Sequence, residues 1–308
     1  MEAIKGAIIR NRRPLLMLIS MLLGVLSFRP IARLDDSTGN IVAPLLIFLM
    51  LFVTFCRVRI RDLRLSKLHF ALLAFQLVVT PVAYYALLPF GEIVAQGGMV
   101  CFLAPIAMAA VAVGALLGAN VTTMVSYTLI CNLVMAFVAP IYLDLFGSGE
   151  CSFAQILSRV VPLLLTPLAM AQLLKLVWRS AAEWIGRHSQ MSFYMWLVSM
   201  CVTLGRTTNF VYITRDSIPL AVGLALAFVA LISCLIQYVL GRLIGRHFND
   251  AGAGAQSLGQ KNTVLTVWLA QAFLFPISSI APTSYIIWQN LVNSYQIYRF
   301  DKLNRKRG

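Results

Sequence analysis

The sequence predicts an all-α membrane protein whose ten transmembrane helices form two inverted repeats of five. Three observations predict it: the composition, the number of apolar segments and the distribution of charge between those segments. Of 308 residues, 60% are hydrophobic and 12% are charged, and the mean hydropathy is +0.83. Soluble domains are only about half apolar, so we expect most of this chain to lie in lipid.

Ten apolar segments are each about 20 residues long, which is the length that a helix needs to cross a bilayer. They cover residues 14–33, 39–57, 68–89, 94–117, 120–143, 154–176, 192–212, 218–241, 252–276 and 278–299. The first segment follows Arg12-Arg13 as a signal peptide would, but Phe28-Arg29-Pro30 offers no small-residue cleavage site. We therefore interpret it as the first span.

The charges between the spans alternate, which supports the count independently of hydropathy. Acidic residues dominate one set of connections: Asp35, Asp36, Glu92, Glu150 and the Arg215-Asp216 pair. Basic residues dominate the N-terminus, the second, sixth and eighth loops and the tail: Lys5, Arg10, Arg12, Arg13; Arg57, Arg59, Arg61, Arg64, Lys67; Lys175, Arg179, Arg187; Arg242, Arg246; Arg299, Lys302, Arg305, Lys306, Arg307. Basic loops stay in the cytoplasm, so both termini are predicted to be cytoplasmic. The net charge of +14 reflects these clusters, and we expect no nucleic-acid partner.

An internal symmetry follows from the count. A division at Gly147-Ser148-Gly149 gives two five-span repeats, residues 1–147 and 148–308, and an odd number of spans inverts the second repeat. The fourth span of each half is interrupted, by Pro105 in one and by Gly252, Gly254 and Gly259 in the other. Such paired breaks indicate a substrate site near the midplane, where two helix N-termini would attract an anion. A proline kink and a frayed helix start are the alternative.

Four short motifs carry a resemblance to a known family. Trp288-Gln289-Asn290 with Ser294 resembles the Trp-His-Asn motif of the bile acid:sodium symporter family. Gly259-Gln260-Lys261-Asn262 falls on that family's Glu-x-Gly-x-Gln-Asn motif in the ninth span. Gln76, before Pro81, matches a sodium-site glutamine of the family, and Pro105 matches the proline at its fourth-span break.

The resemblance implies an inner-membrane transporter with a panel of spans 1, 2, 6 and 7 and a core of spans 3–5 and 8–10. Spans 4 and 9 would cross in the core, with an organic-anion site between core and panel. The residues that it places at the substrate are Asn262, Asn290, Gln289, Pro105 and Ala107. For both asparagines, a helix–helix hydrogen bond remains an alternative.

The chain departs from the family where sodium would bind. Ser257 replaces the family's ninth-span Glu, Lys261 replaces its Gln, and Ala110-Val111 replace a Ser-Asn pair in span 4. We predict that the Lys261 ammonium occupies a sodium position, with Gln76 and Ser257 oxygens accepting its hydrogen bonds and Gln260 beside them. No carboxylate is expected deep inside a span, so no acidic proton relay is expected.

Lys261 has two further interpretations. It could carry a proton, because burial lowers a lysine pKa, or it could extend to the cytoplasmic surface from a ninth span that begins later. Arg206, about two-thirds along span 7, is a second deep cation. It could bind an anionic substrate or extend to the outer headgroups.

The predicted function is secondary active or facilitative transport of a small organic anion by alternating access, without sodium. The alternatives are a sodium- or proton-coupled symporter and a non-transporting membrane sensor or scaffold. No enzyme is predicted, because the spans contain no pair of acids, no His cluster and no nucleophile near a base. The six scattered cysteines indicate no metal site, and no cofactor is expected. The predicted partners are the organic anion and the lipid bilayer; the sequence leaves substrate identity and oligomeric state open.

Overall fold

The computed structural model shows an all-helical protein and describes residues 12–58, 63–107, 109–147, 149, 151–188, 190–215 and 219–304. Within these ranges there is no β-strand, and the elements are fourteen α-helices and two 3₁₀ turns, Leu88–Phe90 and Pro276–Ser279. The fourteen α-helices are α1 (Arg12–Leu26), α2 (Phe28–Ser37), α3 (Val42–Arg57), α4 (Lys67–Leu87), α5 (Glu92–Leu103), α6 (Ala109–Leu116), α7 (Val121–Phe146), α8 (Phe153–Val177), α9 (Arg179–Arg187), α10 (Gln190–Thr214), α11 (Leu220–His247), α12 (Ala251–Gly259), α13 (Thr263–Phe273) and α14 (Ile280–Asn304).

Several predictions fall outside the described residues. They concern the charges of both termini, part of the second loop, the centre of the predicted repeat boundary and two acids of the other set of connections. The residues are Lys5, Arg10, Arg305, Lys306, Arg307, Arg59, Arg61, Ser148, Glu150 and Asp216.

The helices support a multi-pass membrane protein. Four are individually long and apolar enough to cross a bilayer: α4 with its following 3₁₀ turn, α7, α8 and α11. A fifth crossing is possible if α1 and α2 together form one bent span, and α3, α5 and α13 are shorter apolar helices. Each predicted span overlaps one helix or two consecutive helices, but α10 and α14, which overlap the predicted spans 192–212 and 278–299, are not among the candidate spans of the described residues. The outer surface of the bundle fits lipid, since large apolar side chains such as Leu176, Val177 and Leu220 are exposed on it.

The first span is not the continuous helix that the sequence predicted. The chain bends by 78° between α1 and α2. Pro30 explains the bend, because it lacks the backbone N–H that would donate to the carbonyl of Leu26 in a continuous helix. Proline is tolerated in the first turn of a new helix, where N–H groups have no partner inside the helix. As a result, α2 carries Asp35 back against α10 instead of leaving it in a loop.

A short helix was also missed. Residues Arg179–Arg187, predicted as part of a charged loop, form the amphipathic helix α9. Its Ala182 is fully buried, and the helix packs against α3 and α8. Charged residues hid this helix from a search for long apolar runs, although its polar and apolar residues have helical spacing.

Contacts bring the basic loops to one end of the bundle. The Lys175 ammonium of α8 donates to the carbonyl oxygens of Phe55, at 2.7 Å, and Val58 at the end of α3. Lys67 lines a polar cavity together with Asp250, which joins the start of α4 to the α11–α12 connection. We call this the basic end. The opposite end is held by Gln96, whose side chain links α5 to the last residue of α7 and to Phe275.

Close backbone packing positions the second broken helix. Gly241 and Gly245 of α11 face Gly254 of α12, and a Cβ atom at Gly241 would collide with the Gly254 carbonyl oxygen. Only glycine permits so close an approach of two helix backbones. The contact holds α12 in a fixed place along α11.

Candidate functional site at the crossing of two broken helices

The breaks of the two interrupted helices meet and pair through their backbones. The Ala107 N–H donates to the Gln260 carbonyl at 2.8 Å, and the Asn262 N–H donates to the Pro105 carbonyl at 2.8 Å. Ile106 and Lys261 thereby form an isolated antiparallel bridge. Helix breaks leave backbone groups without partners, and lipid cannot supply any. Each break therefore satisfies the other, which fixes the two helix pairs at one crossing point.

Gln76 of α4 supports the first break. Its amide nitrogen lies within hydrogen-bonding distance of three carbonyl oxygens at the end of α5: Phe102 at 3.0 Å, Leu103 at 3.2 Å and Ala104 at 2.7 Å. The last carbonyls of a helix have no partner inside it, so Gln76 acts as a cap. Its side-chain oxygen accepts from the Tyr127 hydroxyl at 3.3 Å.

Helix α14 supports the second break. The Tyr285 hydroxyl donates to the Gly259 carbonyl at 2.8 Å, at the end of α12. The Lys261 backbone N–H donates to the Gln289 side-chain oxygen at 3.0 Å. Gln289 is buried. Its side-chain oxygen is bound to the protein backbone, and this hydrogen bond stabilises the conformation of the break.

Lys261 lies inside the crossing, with only 1% of its surface exposed. Its ammonium donates to the Phe102 carbonyl over a long 3.4 Å hydrogen bond. Phe102 belongs to the last turn of α5, which carries the negative end of the helix dipole, and a cation is favoured there. Among the described residues, no carboxylate lies within ion-pair distance of this ammonium.

The structure differs from the predicted hydrogen bonds of Lys261 and from one of its alternative placements. The structure gives its ammonium the Phe102 carbonyl, and the expected acceptors Gln76 and Ser257 do not take that place. The Gln76 oxygen faces Tyr127 instead, because its amide nitrogen is turned toward α5. The extension of Lys261 to the cytoplasmic surface is also excluded in this conformation, since the side chain is buried.

Of the other predicted site residues at the crossing, Pro105 and Gln260 are buried while Ala107, Asn262 and Asn290 are partly exposed. The Asn262 oxygen caps α13 by accepting from the Leu265 N–H at 3.3 Å. The Asn290 amide donates to the Ile286 carbonyl of its own helix at 2.8 Å. Among the described residues, the side-chain oxygen of Gln260 is buried without a hydrogen-bond donor.

Arg206 has a partner that the sequence did not predict. Its guanidinium lies 2.8 Å from a carboxylate oxygen of Asp35, and Asp35 is only 1% exposed. The sequence did not predict a buried acid here, because Asp35 lies beyond the predicted first span, 14–33. The bend before α2 is the cause of its burial, because it directs Asp35 toward α10. Next to Arg206, the Thr207 hydroxyl lies 3.2 Å from that of Thr283 on α14 and accepts from Gln271 of α13 at 3.3 Å.

Sequence reasoning missed Tyr127, Tyr285 and Gln237 as parts of the crossing. Gln237 of α11 donates to the Cys101 carbonyl at 3.2 Å and lies 3.1 Å from the Tyr285 hydroxyl. A signal was present for Gln237, which is a polar residue inside an apolar span. Tyr127 and Cys131 also have the four-residue spacing of one helix face, and both contact Gln76. The Phe102 carbonyl gave no signal, because every residue has one.

In comparisons with known proteins, no family model matches the chain, and no curated protein matches it.

Proposed function

We propose that this protein is a secondary transporter that moves a small organic anion by alternating access and resembles the bile acid:sodium symporter family. In this proposal the helices form ten spans in two inverted repeats, with both termini on the cytoplasmic side of the inner membrane. The observation that carries it is the crossing of two broken helices around a buried lysine. Broken helices at corresponding places in two repeats are typical of transporter substrate sites.

The electrostatics of the crossing favour an anion. The N-terminal ends of α6 and α13 begin there, at Ala109 and Thr263, and each carries a partial positive charge. The Lys261 ammonium adds a full charge that no described carboxylate offsets. Two partly exposed polar residues are nearby: Asn262 follows Lys261 in the chain, and Asn290 follows Gln289, which accepts from the Lys261 backbone N–H. We therefore place substrate recognition there, with Ala107 on the facing break.

We further propose that Lys261 replaces a coupling ion. An ammonium at the carbonyl end of α5 satisfies the same negative helix end that a sodium ion would. Unlike sodium, it cannot dissociate, so the crossing keeps its shape without an ion gradient. Transport is then expected to be uniport or exchange. Proton coupling through Lys261 is the alternative, and uptake with and without a proton gradient distinguishes it from uniport and exchange.

The experiment compares the purified protein in sodium chloride and in potassium chloride at equal ionic strength. A ligand that binds only the folded state raises its stability by mass action. We expect equal thermal unfolding midpoints in the two salts. A saturable increase specific to sodium would contradict the fixed-cation proposal and indicate a sodium symporter.

Transport itself is tested in proteoliposomes with a panel of labelled organic anions, including a steroid carboxylate and a short keto acid. Uptake is measured without a sodium or proton gradient, with a sodium gradient and with a proton gradient. We expect uptake of at least one anion without either gradient. Binding of an anion without flux would instead indicate the sensor or scaffold alternative.

A further inference from the structure

The amphipathic helix α9 lies where a lipid-facing surface ends. The last turns of α8 expose large apolar side chains, and Leu176 is 84% exposed, as expected for contact with acyl chains. The backbone leaves helical geometry at Trp178, and α9 begins at the next residue. Since Lys175 bonds to the end of α3 at the basic end, the boundary between acyl chains and headgroups falls close to Trp178.

One face of α9 forms an open apolar groove. The groove has a volume of about 460 Å³ and is lined by Trp178, Ser180, Ala181, Trp184 and Ile185. The two tryptophans are 63% and 56% exposed, respectively. Tryptophan is enriched at the interface between lipid and water, where its ring contacts apolar chains and its N–H remains hydrated. The groove therefore suits the glycerol and upper acyl region of a lipid.

Arginines flank this groove. The side chains of Arg179 and Arg187 are 73% and 76% exposed. Both pair with Glu183, at 2.8 and 3.9 Å, but exposed pairs within one helix are weak. Arg57 lies next to α9, near Gly186. Three arginines and one glutamate leave this surface with a positive charge.

We propose that the surface formed by Arg57, Trp178 and α9 binds an anionic phospholipid of the leaflet at the basic end. The guanidinium groups contact the headgroup phosphates, and the two tryptophans contact the glycerol and upper acyl chains. The continuity of the groove with the exposed apolar surface of α8 favours a lipid over a soluble partner. Because α9 packs against α3 and α8, a bound lipid stabilises these helices together. This proposal does not depend on the transported substrate.

The test uses the full-length protein in detergent with added phosphatidylglycerol or phosphatidylcholine. We expect phosphatidylglycerol to raise the thermal unfolding midpoint by roughly 3 °C or more and phosphatidylcholine to have little effect. In Arg179→Gln/Arg187→Gln, the apparent affinity for phosphatidylglycerol should fall by roughly tenfold or more, because each arginine near an anionic surface contributes about fivefold. Arg242→Gln, an exposed arginine of α11 at the same end, is the matched control and should keep the shift.

An equal response of the double variant, an equal loss in Arg242→Gln, or no response of the native protein would each overturn the proposal. A second measurement does not depend on the folding of the arginine variants. The fluorescence of Trp178 and Trp184 is the difference between the native protein and the Trp178→Phe/Trp184→Phe variant. In nanodiscs, spin-labelled phosphatidylglycerol should quench this fluorescence more strongly than spin-labelled phosphatidylcholine does. Equal quenching by both lipids would show an ordinary bilayer contact and overturn the proposal.

Discussion

Lys261 and Arg206 are two cations within the helical bundle, and the structure compensates their charges differently. Arg206 lies 2.8 Å from the carboxylate of Asp35, so that region is close to neutral. Lys261 is more completely buried and faces a neutral carbonyl, that of Phe102. A neutral ion pair serves the fold, whereas a buried charge without a counterion is costly and typical of a functional site in membrane proteins. From this comparison we infer a structural role for Arg206 and propose a functional role for Lys261.

The largest expected effect is the loss of transport in Lys261→Met. Methionine has a similar length but no charge, so anion uptake in proteoliposomes should fall by roughly tenfold or more. The unfolding midpoint should stay the same or rise, because the desolvation cost of the ammonium is removed. Lys67→Met, at an exposed position of the basic end, is the control. Normal uptake by Lys261→Met would remove the functional assignment.

Arg206→Gln is expected to affect stability first. It leaves the buried Asp35 carboxylate without its partner, which should lower the free energy of unfolding by about 2–4 kcal/mol. Adding Asp35→Asn should recover most of that loss. The control is Arg33→Gln, on the same helix as Asp35, and it should change the stability little. These values come from chemical denaturation in detergent. If the single variant is as stable as the native protein, the ion pair does not hold α2 against α10.

Gln76→Leu should destabilise the protein by about 1–3 kcal/mol, because carbonyl groups at the end of α5 lose their donor. Ser257→Ala is the comparison, since the sequence predicted both residues as partners of the same ammonium. We expect a smaller loss from Ser257→Ala in the same denaturation measurement. Equal losses would contradict the assignment of Gln76 as the principal cap.

Asn262 separates a capping role from a substrate role. Asn262→Ala should cost about 1 kcal/mol through loss of the cap of α13. Asn262→Ser keeps a capping oxygen but removes the amide nitrogen, so its stability should stay near that of the native protein while anion uptake decreases. Stability is measured by denaturation and uptake in proteoliposomes. Unchanged uptake in Asn262→Ser would leave Asn262 as a cap alone.

The helices were predictable because their signal is local. An apolar run of about 20 residues is visible in the composition of a short window, and the predicted boundaries of α8, at 154–176, differ by one residue from Phe153–Val177. The break in the fourth span has a local signal, because Pro105 removes a backbone donor. Of the three glycines predicted to interrupt the ninth span, only Gly259 lies at the break, whereas Gly252 and Gly254 lie inside α12. The bend at Pro30 was missed although it has a local cause, because the surrounding apolar run was interpreted as one span.

The partners of the charged residues were not predictable in this way. Asp35 and Arg206 are separated by 171 positions in the chain, and only the direction of α2 after its bend brings them together. The acceptor of the Lys261 ammonium is a backbone carbonyl, which no side-chain pattern distinguishes from any other. A search for suitable ligand side chains therefore selected Gln76 and Ser257, although the end of a nearby helix provides the oxygen.

The sequence by itself determined that this chain enters a membrane, where its helices lie and where two of them break, because these properties depend on composition over short stretches. The tertiary structure alone decided that the two breaks pair with each other, that Lys261 is buried at their crossing and that Arg206 is neutralised by Asp35. Those outcomes depend on which distant backbone groups must satisfy one another where water is absent, and that requirement acts on the packed helices rather than on any segment of sequence.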